Sequence, residues 1–457
     1  MTEGVARLAY SVREGTVGAF RVQYRHGHDP GLQGSPVIRR IPTSWRVACL
    51  FGWLLLAALA SGCGPEVIRH PVPSHLVEQA HVEGFGPIRT WGDQIGLLFG
   101  GDISRQTTRP AVPDDQRSVL ALSGGGSRGA FGAGLLCGWT RRGDRPTFRI
   151  VTGISTGALI APFAFLGSDY DDRLRAAFTT VGPGDIYILR IFTGLLRGDS
   201  LADNAPLLRL AEKFIDQEML EAVAREHRRG RRLYVGTTNL DVQRPVVWDM
   251  GAIAASGQKD ALKLFRRVLI ASASIPVAFP PQYMTVQAQG QRYDEMHVDG
   301  GVTAEVFIWG FGDALPAVVR RQATMPATAP AHPPVRVYVI RNATVAPQYQ
   351  AIAPRVMPIA ARSIFTLINS QAVGDLYRVY SIVRWAGMEF HLAHIPDDDK
   401  PLSTEEFNKE EMNRLFKVGY ELGKAGYPWK EYPPDFPEER KRRTATRPAE
   451  PAQAPGS

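Results

Sequence analysis

Ser155 stands between glycines two residues away on either side, in Gly153-Ile154-Ser155-Thr156-Gly157. A serine hydroxyl becomes a nucleophile when a base takes its proton, and it cleaves esters when donors wait where the oxyanion will form. Glycines beside it keep Cβ atoms away from the hydroxyl and permit a strained turn. Two other segments could supply the donors and the base. Ser123-Gly124-Gly125-Gly126-Ser127-Arg128-Gly129 leaves successive backbone N–H groups uncovered, a cradle for an oxyanion or a phosphate. Val298-Asp299-Gly300-Gly301 sets a carboxylate before two residues that turn tightly. A carboxylate with a pKa near ~4 is a poor base in water, but desolvation in an apolar site raises that value. His297 is the rival base. On a regular strand it stands roughly 6–7 Å behind the tip that Asp299 occupies, so Asp299 is the expected partner.

These residues need strands that end abruptly and helices that begin there. Phe148-Arg149-Ile150-Val151 before the serine and Ala158-Leu159-Ile160-Ala161 after it predict a strand that turns sharply into a helix, a nucleophile elbow. Ser118-Val119-Leu120-Ala121-Leu122 predicts a buried strand running into the glycine loop, which opens a helix through Leu135 and Trp139. Both helix N-termini favour developing negative charge. The glycine loop also fits the dinucleotide-binding pattern. That pattern wants an acidic residue at the end of the second strand, where this chain has Val151-Thr152-Gly153 and then the serine elbow.

Taken in order, and joined by Ala271-Ser272-Ala273-Ser274-Ile275-Pro276-Val277-Ala278-Phe279-Pro280-Pro281 ahead of the aspartate, the three motifs resemble the patatin-like phospholipase family over residues 115–310. The resemblance implies a three-layer α/β fold, a mainly parallel central sheet with helices on both faces. It implies Ser155 as nucleophile, Asp299 as its base and an oxyanion hole from Gly124, Gly125, Gly126 and Arg128, with no catalytic histidine. No cofactor and no metal are expected. The implied activity is serine acyl hydrolysis of phospholipids or related lipids. Two alternatives stay open: acyl transfer to an alcohol or lysolipid through the same acyl-enzyme, and lipid binding without catalysis.

The N-terminus points to the cell envelope. Arg39, Arg40 and Arg46 precede the apolar run from Val47 to Leu59, followed by Ala60-Ser61-Gly62-Cys63. That order fits a secretory signal peptide, and its end resembles a bacterial lipobox that would make Cys63 the lipid-modified first residue. The expectation is a membrane-anchored lipoprotein, on the outer membrane or periplasmic face if the source is a diderm bacterium. Cys49 would leave with the signal and Cys137 would remain alone, so no disulfide framework forms. The net charge of +8 falls to about +4 without residues 1–62, which hold seven Arg and three acidic residues, and nucleic-acid binding is not indicated.

The expected organisation is a leader and signal over 1–62, a tether or arm over 63–112 and a catalytic domain over 113–345. A mostly helical extension over 346–430 and a disordered tail over 431–457 complete it. Residues 323–334 are a Pro/Ala-rich surface loop. Leu376, Val379, Tyr380 and Val383 mark an amphipathic helix, and Ser403-x-x-Glu406 has the form of a capping box opening another helix that ends near Gly426.

Overall fold

Alternating side chains on one strand show how the layers are built. On the strand Ser118–Leu122, Leu120 and Leu122 enter one apolar cluster while Val119 and Ala121 enter a second. Successive side chains of a strand point to opposite faces, so this strand is covered on both sides. The computed structural model describes residues 69–93, 117–186, 188–189, 202–203, 205–308, 334–403 and 405–437. The leader and signal, Cys63, the Pro/Ala-rich stretch up to residue 333 and residues 438–457 lie outside the described residues.

In chain order the first elements are β1 (His81–Val82), β2 (Arg89–Trp91), β3 (Ser118–Leu122), α1 (Gly129–Arg142) and β4 (Ile150–Ile154). Next come α2 (Thr156–Leu166), α3 (Asp171–Thr179), α4 (Pro183–Ile186), and β5 (Ile188–Leu189) with β6 (Ala202–Asp203), which pair only with each other. Then follow α5 (Ala205–Phe214), α6 (Gln217–Arg228), β7 (Arg232–Asn239), β8 (Arg244–Asp249), α7 (Met250–Ala255) and α8 (Ala261–Ser272). The last are β9 (Gln282–Ala288), β10 (Gln291–Asp299), β11 (Arg336–Arg341), α9 (Val356–Trp385), β12 (Glu389–His394) and α10 (Lys409–Ala425).

The ten-stranded sheet is mixed, not mainly parallel as expected: only its centre, in the order β12-β11-β3-β4-β7, is parallel, because those strands are joined through helices. Beyond β7 it turns antiparallel, through β10, β9 and β1 along one path and through β8 and β2 along another. Residues of α1, α2, α6 and α8 fill one face, and Leu376, Val379 and Val383 of α9 fill the other.

Several segments outside the predicted catalytic stretch take part in this body. Residues 69–93, expected as part of an arm, give β1 and β2 to the antiparallel flank, and the Arg89 guanidinium pairs with buried Glu295 over the Trp248 ring. Strand β12, from the stretch expected as a mostly helical extension, pairs in parallel with β11. Helix α10 crosses α1 with backbone against backbone: Gly134 and Gly138 lie under the carbonyls of Phe416 and Tyr420, Gly419 and Gly423 under those of Phe131 and Leu135.

Two further expectations are corrected. The helix after Ser403 starts at Lys409, where the Asn408 side chain accepts from the Glu411 N–H at 3.0 Å; Ser403 takes the Glu405 N–H in a local turn, and Glu406 is drawn to Ser127 instead. Residues 431–437, expected as the start of a disordered tail, are held because Tyr432 and Phe436 stack on each other and pack on Tyr380 of α9.

Candidate active site

One edge of β7 brings the two key strands together. Along that edge Ile154 of β4 pairs with Gly236, and the next residue, Thr237, pairs with Asp299 of β10. Strand β4 therefore arrives from one direction and β10 from the other, and they meet end to end. Ser155 follows Ile154 directly, so it emerges beside Asp299. Gly300 is needed at this junction, since a Cβ there would lie 2.6 Å from the Gly236 carbonyl oxygen and 2.8 Å from Ile154 Cδ1.

Ser155 itself has φ 53° and ψ −125°, a conformation that costs a non-glycine residue of order 1–3 kcal/mol and persists only where its surroundings impose it. They do so here. The Ser155 N–H donates to Ser272 Oγ at 3.0 Å, and that hydroxyl donates to the Gly236 carbonyl at 2.6 Å, fastening the elbow to α8 and β7. Gly157 lets the first turn of α2 sit against the carbonyls of Leu122 and Ser123, where any Cβ would collide. The elbow and the glycine loop are thus in direct contact.

Asp299 is 3 % exposed. Its Oδ1 accepts from the Gly301 N–H at 2.7 Å, and its Oδ2 is buried without a hydrogen-bond partner. Burial pushes its carboxyl up to about 7, against the opposing pull of the Ser155 hydroxyl and the Gly301 N–H. The Asp299 N–H donates to the Ser274 carbonyl at 2.9 Å, so the Ala-Ser-Ala-Ser-Ile-Pro segment holds both members of the pair, Ser155 through Ser272 and Asp299 through Ser274.

The glycine loop is shaped by positive φ at Gly125 (154°) and Gly126 (57°). Its donors are unequal. The Gly124 N–H faces the Glu305 carbonyl at 3.4 Å, and the Ser127 N–H and hydroxyl face Glu406 Oε2 at 3.4 Å and 2.8 Å. The Arg128 N–H returns to the Gly125 carbonyl, and its Nε is buried without a partner. Among the described residues the N–H groups of Gly125 and Gly126 have no acceptor. Of the four candidate oxyanion residues, these two keep a free main-chain donor. Gly124 contributes its lack of a side chain, and Arg128 contributes positive charge near the Glu305 carboxyl.

Gly126 and Ser155 line a cleft of ≈ 840 Å³, open mouth included, whose walls also include Leu159, Phe163, Phe178, Leu207, Phe214 and Phe279. Such walls suit a hydrocarbon chain. His297 takes no part in the site. It is fully buried, with Nδ1 at 2.9 Å from Thr237 Oγ1 and Nε2 at 3.1 Å from Glu295 Oε2.

Three residues near the site are not among the candidates offered by the sequence. Ser272 lies in the quoted serine-rich segment, and its sequence gives no sign of its bond to Ser155. Glu305 is an acid just ahead of Val306-Phe307-Ile308, a misfit that could have marked it. Glu406 is distant in sequence, and only the fold brings it to Ser127.

The family model of patatin-like phospholipases matches residues 120–311, which contain every element just described except Glu406. Among solved structures, the crystal structure of VipD from Legionella pneumophila is similar at 11% identity and a TM-score of 0.35, over 72% of this chain and 72% of that one. No curated protein matches the chain.

Proposed function

We propose that this chain, which carries a patatin-like phospholipase domain over residues 120–311, is a serine acyl hydrolase cleaving fatty-acyl esters of phospholipids or related lipids. The observation that carries this reading is the meeting of the β4 and β10 ends, which sets Ser155, a lining residue of an apolar cleft, beside a buried carboxyl. Asp299 takes the Ser155 proton as Oγ attacks the ester carbonyl. Its raised proton affinity suits it to hold that proton near neutral pH. The carbonyl oxygen becomes an oxyanion facing the Gly125 and Gly126 N–H groups, each worth ~3–4 kcal/mol at such a position. The intermediate collapses to an acyl-Ser155, and the leaving alcohol accepts the proton from Asp299. Water then repeats the sequence and releases the fatty acid.

The test uses a fluorophosphonate probe and a defined phospholipid. Wild type should be labelled and release fatty acid, while folded Ser155→Ala should be unlabelled and lose at least ~10³-fold in hydrolysis. Equal labelling of both proteins removes Ser155 from the mechanism. An acyl-lysolipid product in place of free fatty acid, when lysolipid is supplied, assigns the chain to acyl transfer.

A further inference from the structure

Glu305 turns its carboxyl inward and is 8 % exposed. A Cβ on Gly124 would lie 2.5 Å from Glu305 Oε1, and a Cβ on Gly301 would lie 2.5 Å from Oε2 and 3.1 Å from Asp299 Oδ1. One carboxyl group therefore bridges the glycine loop and the turn that carries Asp299. Its backbone is fixed from both sides, by the Gly124 N–H on its carbonyl and by its own N–H on Asp375 Oδ2 at 2.8 Å.

The charges around it are mixed. Asp299 from β10 and Asp375 from α9 disfavour its ionisation, and Arg128 from the loop and Arg341 from β11 favour it. Arg341 is already engaged with the Thr344 carbonyl and Asn369, and Asp375 has Arg378 at 3.5 Å. Glu406 stands at the Gly126 end of the same loop. As Asp299 takes the Ser155 proton the negative charge passes to the substrate oxyanion, and an ionised Glu305 would set a second like charge in the same buried site.

We propose that Glu305 is a positioning residue of the acyl-transfer site that works in its neutral form, bracing the glycine loop against the Asp-Gly-Gly turn, and that its ionisation turns the site off. This rests on Ser155 and Asp299 acting as proposed above. Burial, then the neighbouring Asp299, push the Glu305 carboxyl up to about 8. The working range opens as Asp299 loses its proton and closes as Glu305 loses its own.

The experiment is the rate of fluorophosphonate labelling of Ser155 in the full chain, from acid to alkaline pH, in wild type, Glu305→Gln and Glu305→Ala. Wild type should give a bell. Glu305→Gln, which keeps the neutral shape, should retain the rising limb and lose the alkaline fall, exceeding wild type about tenfold one pH unit above the wild-type midpoint. Glu305→Ala, which lacks the brace, should be slow throughout. An alkaline fall unchanged in Glu305→Gln overturns the proposal, as does a Glu305→Ala profile identical to that of Glu305→Gln. Infrared spectroscopy of wild type tests it without any variant. A protonated-carboxyl band should vanish with the same midpoint as the labelling rate, and a different midpoint counts against Glu305. Wild type that is never labelled at Ser155 removes the hydrolase reading, and this inference with it.

Discussion

His297 shows how a residue with attractive chemistry can be wholly structural. Both ring nitrogens are occupied inside the sheet, and Thr237 Oγ1, its partner on one side, also accepts from Trp248 Nε1 at 2.9 Å. Burial holds the imidazole below its usual pKa although Glu295 pulls the other way; Arg89 shares that carboxylate and balances its charge. His297→Ala should leave Thr237 and Glu295 short of a partner and open a cavity, costing ~2–4 kcal/mol in denaturant unfolding. Its rate per folded molecule should stay within about tenfold of wild type, because its two side-chain hydrogen bonds go to Thr237 and Glu295 and neither is made to Ser155 or Asp299. A loss approaching that of Ser155→Ala would bring a histidine back into the mechanism. The place of Asp299 at a strand end was legible in sequence because the two glycines after it end the strand. Its raised proton affinity was legible only as a tendency, since burial is set by elements far away in the chain.

At the scale of elements, local pattern found what was locally determined. The strand before the glycine loop, the elbow and the amphipathic helix marked by Leu376, Val379, Tyr380 and Val383 follow from apolar period and glycine placement. What escaped was pairing. Nothing in His81–Val82 or Glu389–His394 announces a partner strand, because the hydrogen bonds that define an edge lie in another part of the chain. The α1–α10 crossing was hidden for the same reason: Gly134 and Gly138 are ordinary small residues until the Phe416 and Tyr420 carbonyls are laid over them. The capping-box reading of Ser403 failed because Asn408 supplies a better cap next to the helix and Glu406 is taken by Ser127. Gly138→Leu should drive a side chain into the Tyr420 backbone and destabilise the protein by about 3 kcal/mol, the upper range for overpacking. An unchanged unfolding midpoint would mean that the helices do not meet at these glycines.

The whole molecule is larger than its recognisable domain. The family match ends at residue 311, yet β11, β12, α9 and α10 complete the sheet, cover its second face and close over α1. A chain ending at residue 345 should therefore be insoluble or unlabelled by fluorophosphonate despite holding Ser155, Asp299 and all three glycines. A soluble, labelled fragment of that length would show that the later elements are dispensable. The crossing of α1 and α10 also has a consequence in time. Some 280 residues separate Gly138 from Gly419, so at the ~5–20 residues per second of synthesis roughly 15–60 s pass before the partner of α1 exists. During that interval the glycine loop lacks Glu406, α1 lacks its cover and the sheet lacks its last strand. A chain built this way completes the surroundings of Ser155 only after α10 has been made.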